Sequence, residues 1–449
     1  MKSLLAIVLS WGLACGLAPR YGAALAQEIS SEPFVAWAKG HAMAVTTVEP
    51  GHGFTDLQPL KTTIGQAQLV ALGESAHGVH EFLAFRNRLA EFLVQEMGFT
   101  AIAVETGFYE GVQVDDYIAG GTAEKTKVAQ DVFEWDPAAL EENLQLVEWM
   151  RLYNATASVA RKIRFYGIDL TGGQSGEFKE SRKALDAPLA YIERLDPSLG
   201  QEFRQQLEPF LAKFSSSSYP TLAPAERNSL TAAIADLVSL FERRRIEFVA
   251  ATSESDYQRA YRNAVVAREL DALFRAHANH AGNVKLKDSR DPLMVRDAGM
   301  ADNVRWVLER EGPQGRVFVF AHNMHVMKSP VLKEPYPEFL PEGGRTSMGQ
   351  YLRSFGDAVV VLGFSFQRGE EALKFPPLDA TSVDGLLAQV GLPLFALDLR
   401  TAPKVGPVAD WLSKGKRIRM NDRYGELAPI DAFDALVFVE RVSGVHPIH

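Results

Sequence analysis

Short, wholly apolar runs alternate along the sequence with longer stretches whose apolar residues recur every three or four positions. That is the pattern of buried strands separated by amphipathic helices. The first such pair spans 67–99. Leu69, Val70, Ala71 and Leu72 predict a strand stopped by Gly73; Phe82, Phe85, Leu89, Phe92, Leu93 and Met97 then recur at helical spacing as far as Gly98. Between strand and helix lie Glu74 and His77, framed by Gly73 and Gly78. Further strands are expected over 100–104, ending at Glu105, and over 162–168, ending at Asp169. A strand over 316–320 delivers Ala321, His322, Asn323 and His325, and runs at 358–364, 392–397 and 435–439 complete the set. Strands alternating with helices predict an α/β fold: a central, largely parallel sheet flanked by helices.

From 185 to 283 the strand pattern stops. Amphipathic helices over 199–214, 225–250 and 257–280 predict a helical insertion, placed to serve as a lid or substrate-facing subdomain. The α/β catalytic body then comes in two parts, 27–184 and 284–449, with no internal repeat. Residues 1–26 stand apart. Lys2 precedes an uncharged run over 3–19, and Ala24-Leu25-Ala26 supplies a small-residue cleavage site before Gln27, the layout of a secretory signal peptide. The protein is therefore expected to be exported, periplasmic or secreted. Leu13-Ala14-Cys15 leaves lipoprotein processing at Cys15 as the other route. A membrane span needs about 20 apolar residues, and this run is shorter and interrupted, so no stable span is expected after signal cleavage. Cys15 is the only cysteine. Cleavage after Ala26 leaves a chain without disulfides, thiol nucleophiles or thiolate metal sites. A net charge of −9 and the lack of any basic cluster beyond Arg243–Arg245 argue against a nucleic-acid partner.

The polar residues at the strand ends carry the candidate chemistry. Arg86 lies four residues after Phe82 and three before Leu89, on the apolar face of its own helix. An unpaired guanidinium there would cost on the order of several kcal/mol. Its nearest candidate partners are Glu74 and the surroundings of His77, and the three read as one site. Glu105 repeats the position of Glu74, and the strand end bearing His322 and His325 is the counterpart of the one bearing His77. Arg296 shares a line with Met300, Val304 and Val307, a second charge on an apolar stripe, with Asp297 as candidate partner. Aromatic and acidic residues between 106 and 150, among them Phe108, Tyr109, Asp115, Tyr117 and Trp149, suit either a pocket for a bulky apolar ligand or packing. His446 and His449, in the tail, are expected to be inert. The G-x-S-x-G elbow, the phosphate-binding loop, a credible dinucleotide loop and H-E-x-x-H are all missing from the sequence. What remains is a set of His, Glu and Arg suited to a positioned water: imidazole takes the proton, carboxylate fixes its tautomer, and a cation stabilises the oxyanion. That composition fits ester hydrolysis without a covalent intermediate.

GESAHG after an apolar strand and EFLAFR on the helix behind it resemble the erythromycin esterase family. So do AIAVE at 101–105, FYGID at 165–169, the run from Arg296 to Asn303, AHNMH at 321–325 and MGQYL at 348–352. These islands keep the family's order from about residue 60 to residue 370. The resemblance implies a hydrolase that opens a (macro)lactone or another carboxylic ester, with no required metal or other cofactor. It maps the general base onto His77, its glutamate neighbour onto Glu74, the helix arginine onto Arg86, the paired histidines onto His322 and His325, and the strand-end glutamate onto Glu105. The expected catalytic set is His77, Glu74, Arg86 and His322; Glu105, His325 and Arg296 are expected to bind substrate, a small-molecule ester or lactone. The same residues admit an alternative: Glu74, His77, His322 and His325 as an N/O metal set, in a metal-dependent hydrolase or an exported metal- or tetrapyrrole-binding protein. Nothing in the pattern fixes an oligomeric state.

Overall fold

The computed structural model describes residues 30–132, 139–173, 178–280, 292–333 and 346–448. The expected signal peptide, Cys15 and His449 lie outside the described residues. Among the described residues there are ten strands: β1 (Met43–Ala44), β2 (Leu69–Glu74), β3 (Ala101–Gly107), β4 (Arg164–Asp169), β5 (Val317–His322), β6 (Val359–Gly369), β7 (Leu394–Asp398), β8 (Lys416–Met420), β9 (Arg423–Leu427) and β10 (Ala435–Val442). All but β8 and β9 form an eight-stranded sheet in the order β1-β7-β10-β6-β2-β5-β3-β4. From β10 to β4 every neighbouring pair is parallel; β7 runs antiparallel to both β10 and β1. The expected largely parallel sheet is present. The β8–β9 hairpin, separate from it, was not expected.

Alternation along each strand divides the apolar residues between two cores. Val70, Leu72, Ile102, Val104, Phe318 and Phe320 face Phe82, Phe85, Leu89 and Phe92 of the helix His80–Met97. Leu69, Ala71, Ala101, Ala103, Val317 and Val319 face Met300, Val304 and Val307 of the helix Pro292–Glu311. Each fully buried Leu, Val or Phe contributes about 1.5–3 kcal/mol, so this double layer fixes strand register firmly. Gly73 allows one close approach. A Cβ there would stand 2.3 Å from Asn323 Oδ1 and 2.6 Å from Val326 Cγ2. The space is taken by the Asn323 amide, which donates to Phe364 O at 2.9 Å and accepts from Phe364 N–H at 3.2 Å, bridging β5 to β6 across β2.

The insertion consists of the helices Lys183–Leu195, Pro197–Leu211, Pro224–Arg243, Arg245–Ala251 and Glu254–His280. The first of these was not expected; Pro188 inside it obscures the helical pattern. The single helix expected over 225–250 breaks at Arg244, whose backbone leaves the helical region. Leu189, Leu207, Ile234, Leu237, Phe241, Leu270 and Phe274 give the insertion a core of its own. Phe108, Leu170 and Trp306 join that core, so the insertion packs where the chain leaves β3 and β4 at their carboxyl ends.

Candidate active site

The strand order puts Glu74 of β2, His322 of β5, Glu105 of β3 and Asp169 of β4 at neighbouring carboxyl ends, with Glu74 and His322 in direct register. This is the edge where open α/β sheets hold ligands. A register shift in β3 between Val104 and Gly107 re-aims Glu105 and Thr106. Glu74 is fully buried, whereas His77 keeps 31 % of its side chain exposed. His77 Nδ1 stands 2.5 Å from Glu74 Oε1. Against an ionised carboxylate Nδ1 carries the hydrogen, which leaves Nε2 as the basic nitrogen. Burial pushes the Glu74 carboxyl up, even with His77 beside it. Burial opposes charge on His77 as well, but the Glu74 carboxylate wins and raises the imidazole above its ordinary 6.5. The loop between them is clamped from far along the chain. Asn421, at the tip of the β8–β9 hairpin with φ of 55°, donates its N–H to Ser75 O at 2.7 Å and accepts from His77 N–H at 3.3 Å.

His322 faces His77 with ring centres 5.0 Å apart. Met324 N–H donates to His322 Nδ1 at 3.1 Å, so Nε2 carries the hydrogen, 3.3 Å from Ser75 O. His322 N–H in turn donates to Glu105 Oε2 at 2.8 Å. Behind it lies a buried charged network. Arg296 donates through Nη2 to Glu105 Oε1 at 2.8 Å, and through Nε and Nη2 to Asp169 at 2.9 and 2.6 Å. His325 Nε2 is 3.2 Å from Glu105 Oε1, and His325 Nδ1 is 2.7 Å from Asp297 Oδ1. Burial alone would raise the Glu105 carboxyl; His325 and then Arg296 hold it well below its ordinary value. Burial likewise opposes the charge on His325, which Asp297 and Glu105 raise. The expected pairing of Arg296 with Asp297 is corrected here. Neighbours on a helix do not face each other, so Arg296 reaches β3 and β4 while Asp297 takes His325.

Arg86 is fully buried, as its place on an apolar face implies, but it does not bond to Glu74. Its Nε donates to Asn87 Oδ1 and its Nη2 to Asn143 Oδ1, each at 3.0 Å, and the guanidinium covers the Phe320 ring at 5.2 Å. Burial pushes Arg86 down to about 10, against the pull of Glu74. Among the described residues, Glu74 Oε2 and Arg86 Nη1 are both buried without a hydrogen-bond partner. Arg86 acts on Glu74 through charge rather than contact.

The aromatic and acidic residues of 106–150 mostly serve packing. Phe108 and Tyr117 are buried, Asp115 binds Arg164 and Arg259 at 2.8 and 2.7 Å, and Trp149 lies against Tyr153. Glu74, His77, His322 and His325 do not form, among the described residues, a group whose ligating atoms all lie within 4.8 Å of one another. Among the described residues, the ligating atoms that do converge are those of His80, Glu142 and His446. Sequence reasoning missed Asn421, Asn143 and the part played by Asp169. The Asn421-Asp422 step is a turn signal, but nothing in it names the loop it would grip.

Residues 94–442 match the family model described as erythromycin esterase. The chain is 25 % identical over 432 residues to erythromycin esterase type II of Escherichia coli, covering 91 % of this chain and 98 % of that one. To erythromycin esterase type I of the same species it is 23 % identical over 420 residues, covering 86 % and 93 %. A solved Bacillus cereus protein shares the fold with a TM-score of 0.78 at 23 % identity, covering 94 % of this chain and all of that one. A variant of the erythromycin esterase EreC in its open conformation does so with a TM-score of 0.69 at 18 % identity, covering 89 % and 97 %. A family match over most of the chain, on a sheet whose carboxyl edge gathers Glu74, His77, His322 and Glu105, decides the assignment: the chain belongs to the erythromycin esterase family and is a hydrolase of that family.

Proposed function

We propose that the protein is an exported esterase that cleaves a carboxylic ester or (macro)lactone with a water molecule activated by His77. The observation that carries this reading is the 2.5 Å contact of a fully buried carboxylate, Glu74, with a histidine that still reaches the surface. His77 Nε2 takes a proton from water as the water oxygen attacks the ester carbonyl, and Glu74 stabilises the imidazolium that forms. The His322 Nε2–H, 3.3 Å from Ser75 O in the resting site, turns to the oxyanion of the tetrahedral intermediate. When the C–O bond breaks, the leaving alkoxide recovers the proton from His77. Arg86 supports the negative charge of Glu74 from within the core. Glu105, Arg296 and His325 are too deeply buried to present a wide substrate surface, and they serve by fixing the backbone of His322. A macrolide is a candidate substrate because two relatives are erythromycin esterases. Export rests on Lys2, the uncharged run and Ala24-Leu25-Ala26.

The test is a screen of macrolides, simple lactones and aryl esters in oxygen-labelled water, read by mass spectrometry. One labelled oxygen in the product acid, from an enzyme that never carries an acyl group, is the expected result; an acyl-enzyme trapped on any side chain overturns the mechanism. Mass measurement of protein recovered outside the cytoplasm should show a chain beginning at Gln27, and soluble cytoplasmic protein with an intact leader would remove the export reading.

A further inference from the structure

Another cluster of ligating side chains forms where the C-terminal segment crosses the body. His80 opens the helix His80–Met97, Glu142 stands in the first turn of the helix Glu141–Thr156, and His446 lies in the tail. His80 Nδ1 and His446 Nδ1 approach the same oxygen, Glu142 Oε1, at 2.6 and 2.9 Å, and the two imidazole centres are 4.6 Å apart. One ligand atom from each of the three residues lies within 4.8 Å of the others. The second nitrogen of His80, Nε2, is 3.0 Å from Glu49 Oε1. Glu49, His80, Glu142, Gln145 and His446 line a cleft of about 550 Å³.

We propose that His80, Glu142 and His446 bind a zinc ion through Nδ1, Oε1 and Nδ1, with Glu49 as the outer partner that orients His80. Two imidazole nitrogens and one carboxylate oxygen suit zinc and exclude magnesium or calcium as the preferred ion. Three protein ligands also leave a fourth position of the tetrahedron for water or another donor. Bonds of about 2.0–2.2 Å place tetrahedral donors roughly 3.3 Å apart, so His80 Nδ1 and His446 Nδ1, now 2.6 and 2.9 Å from Glu142 Oε1, draw back from it by about 0.7 and 0.4 Å to admit the ion. The His446 side chain, 54 % exposed, has room to move by that much. A carboxylate on the far nitrogen of a histidine is the usual companion of a metal bond, since it fixes which nitrogen ligates.

The backbone already holds the ligands in place. His80 N–H donates to Ser443 O at 3.1 Å, Glu141 N–H to His446 O at 2.8 Å, and Ile448 N–H to Ala139 O at 2.8 Å. Zinc would clasp the tail to the first turns of two helices. It would also stiffen the holder of Arg86, because Glu142 O accepts from Asn87 Nδ2 at 2.7 Å and Asn143 accepts from Arg86 itself. The proposal stands apart from the esterase reading, and its test needs no substrate.

Full-length protein stripped with a chelator and dialysed is titrated with zinc chloride by calorimetry, and its thermal midpoint is read with and without the metal. One equivalent of zinc binds and raises the midpoint, whereas magnesium does neither. His446→Ala, which alters a tail residue 54 % exposed and so leaves the far-UV spectrum unchanged, weakens zinc binding by at least about tenfold. Glu49→Gln weakens it by roughly ten- to a hundredfold. Wild-type protein without saturable zinc binding, or zinc binding that survives His446→Ala undiminished, overturns the proposal.

Discussion

Replacing Arg296 with methionine keeps most of the aliphatic volume and removes the guanidinium from between two carboxylates. The wild-type side chain is 7 % exposed, and its partners Glu105 and Asp169 are 0 % and 2 % exposed. After the change Asp169 keeps the Leu170 N–H, and Glu105 keeps the His322 N–H and His325. Removing one partner of a buried ion pair costs about 3–5 kcal/mol; a guanidinium that grips Asp169 through two nitrogens and Glu105 through one belongs in the upper half of that range. The pH dependence follows from Glu105, whose pKa the fold holds well below the ordinary 4.5. Its contribution to stability is present above that ordinary value and is lost as pH falls through the folded one. Methionine removes one of the cations responsible, so the variant's deficit is greatest at neutral pH and narrows only at a second pH well below 4.5, where the wild type loses the Glu105 contribution. Urea unfolding followed by far-UV circular dichroism at the two pH values measures both quantities. A variant within about 1 kcal/mol of wild type at neutral pH, or a deficit equal at both, would refute the reasoning. Arg296→Lys, a point charge without the planar fork, should fall between them.

His77→Ala takes the hydrogen-bond partner from buried Glu74 and so lowers the unfolding midpoint, while in the folded variant kcat falls by about two to four orders of magnitude. A loss below tenfold counts against His77 as the base. Since the base works when neutral and Glu74 raises its pKa, the acid limb of kcat/KM lies above 6.5, and activity falls as pH drops through it. Glu74→Gln moves that limb towards acid; a limb that stays in place contradicts the coupling. Loosening the insertion with Leu237→Ala or Phe241→Ala, both fully buried, costs about 2–5 kcal/mol and raises KM for bulky esters more than for small aryl esters. An equal effect on both substrates argues that the insertion does not set substrate size.

The strands could be read from sequence because a parallel strand covered on both faces is apolar throughout, as in Leu69–Leu72. The polar residue that ends each run could therefore be read as well. The order of the strands could not. No residue announces that β5 lies between β2 and β3, and that placement is what brings His322 beside both Glu74 and Glu105. Arg296 shows the same limit, since its place on an apolar stripe foretold burial but not which strands would supply its acceptors. Arg86 was placed correctly in the core, yet its bonds go to Asn87 and Asn143, side chains with no periodic signal. His446 looked inert because a lone tail histidine acquires meaning only where the tail docks. The β8–β9 hairpin, short and rich in charge in KRIRM and RYGEL, carries no apolar run to betray it.

The Asn421 clamp has a temporal consequence. It joins positions 344 residues apart, and a contact of that span forms only after nearly all of the chain has been synthesised. Until the hairpin arrives, the loop bearing His77 lacks the bond that sets its backbone, although Glu74, His77 and His322 have all left the ribosome. If His77 is the base, a nascent chain, or one trimmed ahead of residue 416, is then silent as a hydrolase even where β6, β2, β5, β3 and β4 have paired. Turnover reports completed folding, and a polypeptide crossing a membrane in extended form would travel with its chemistry switched off.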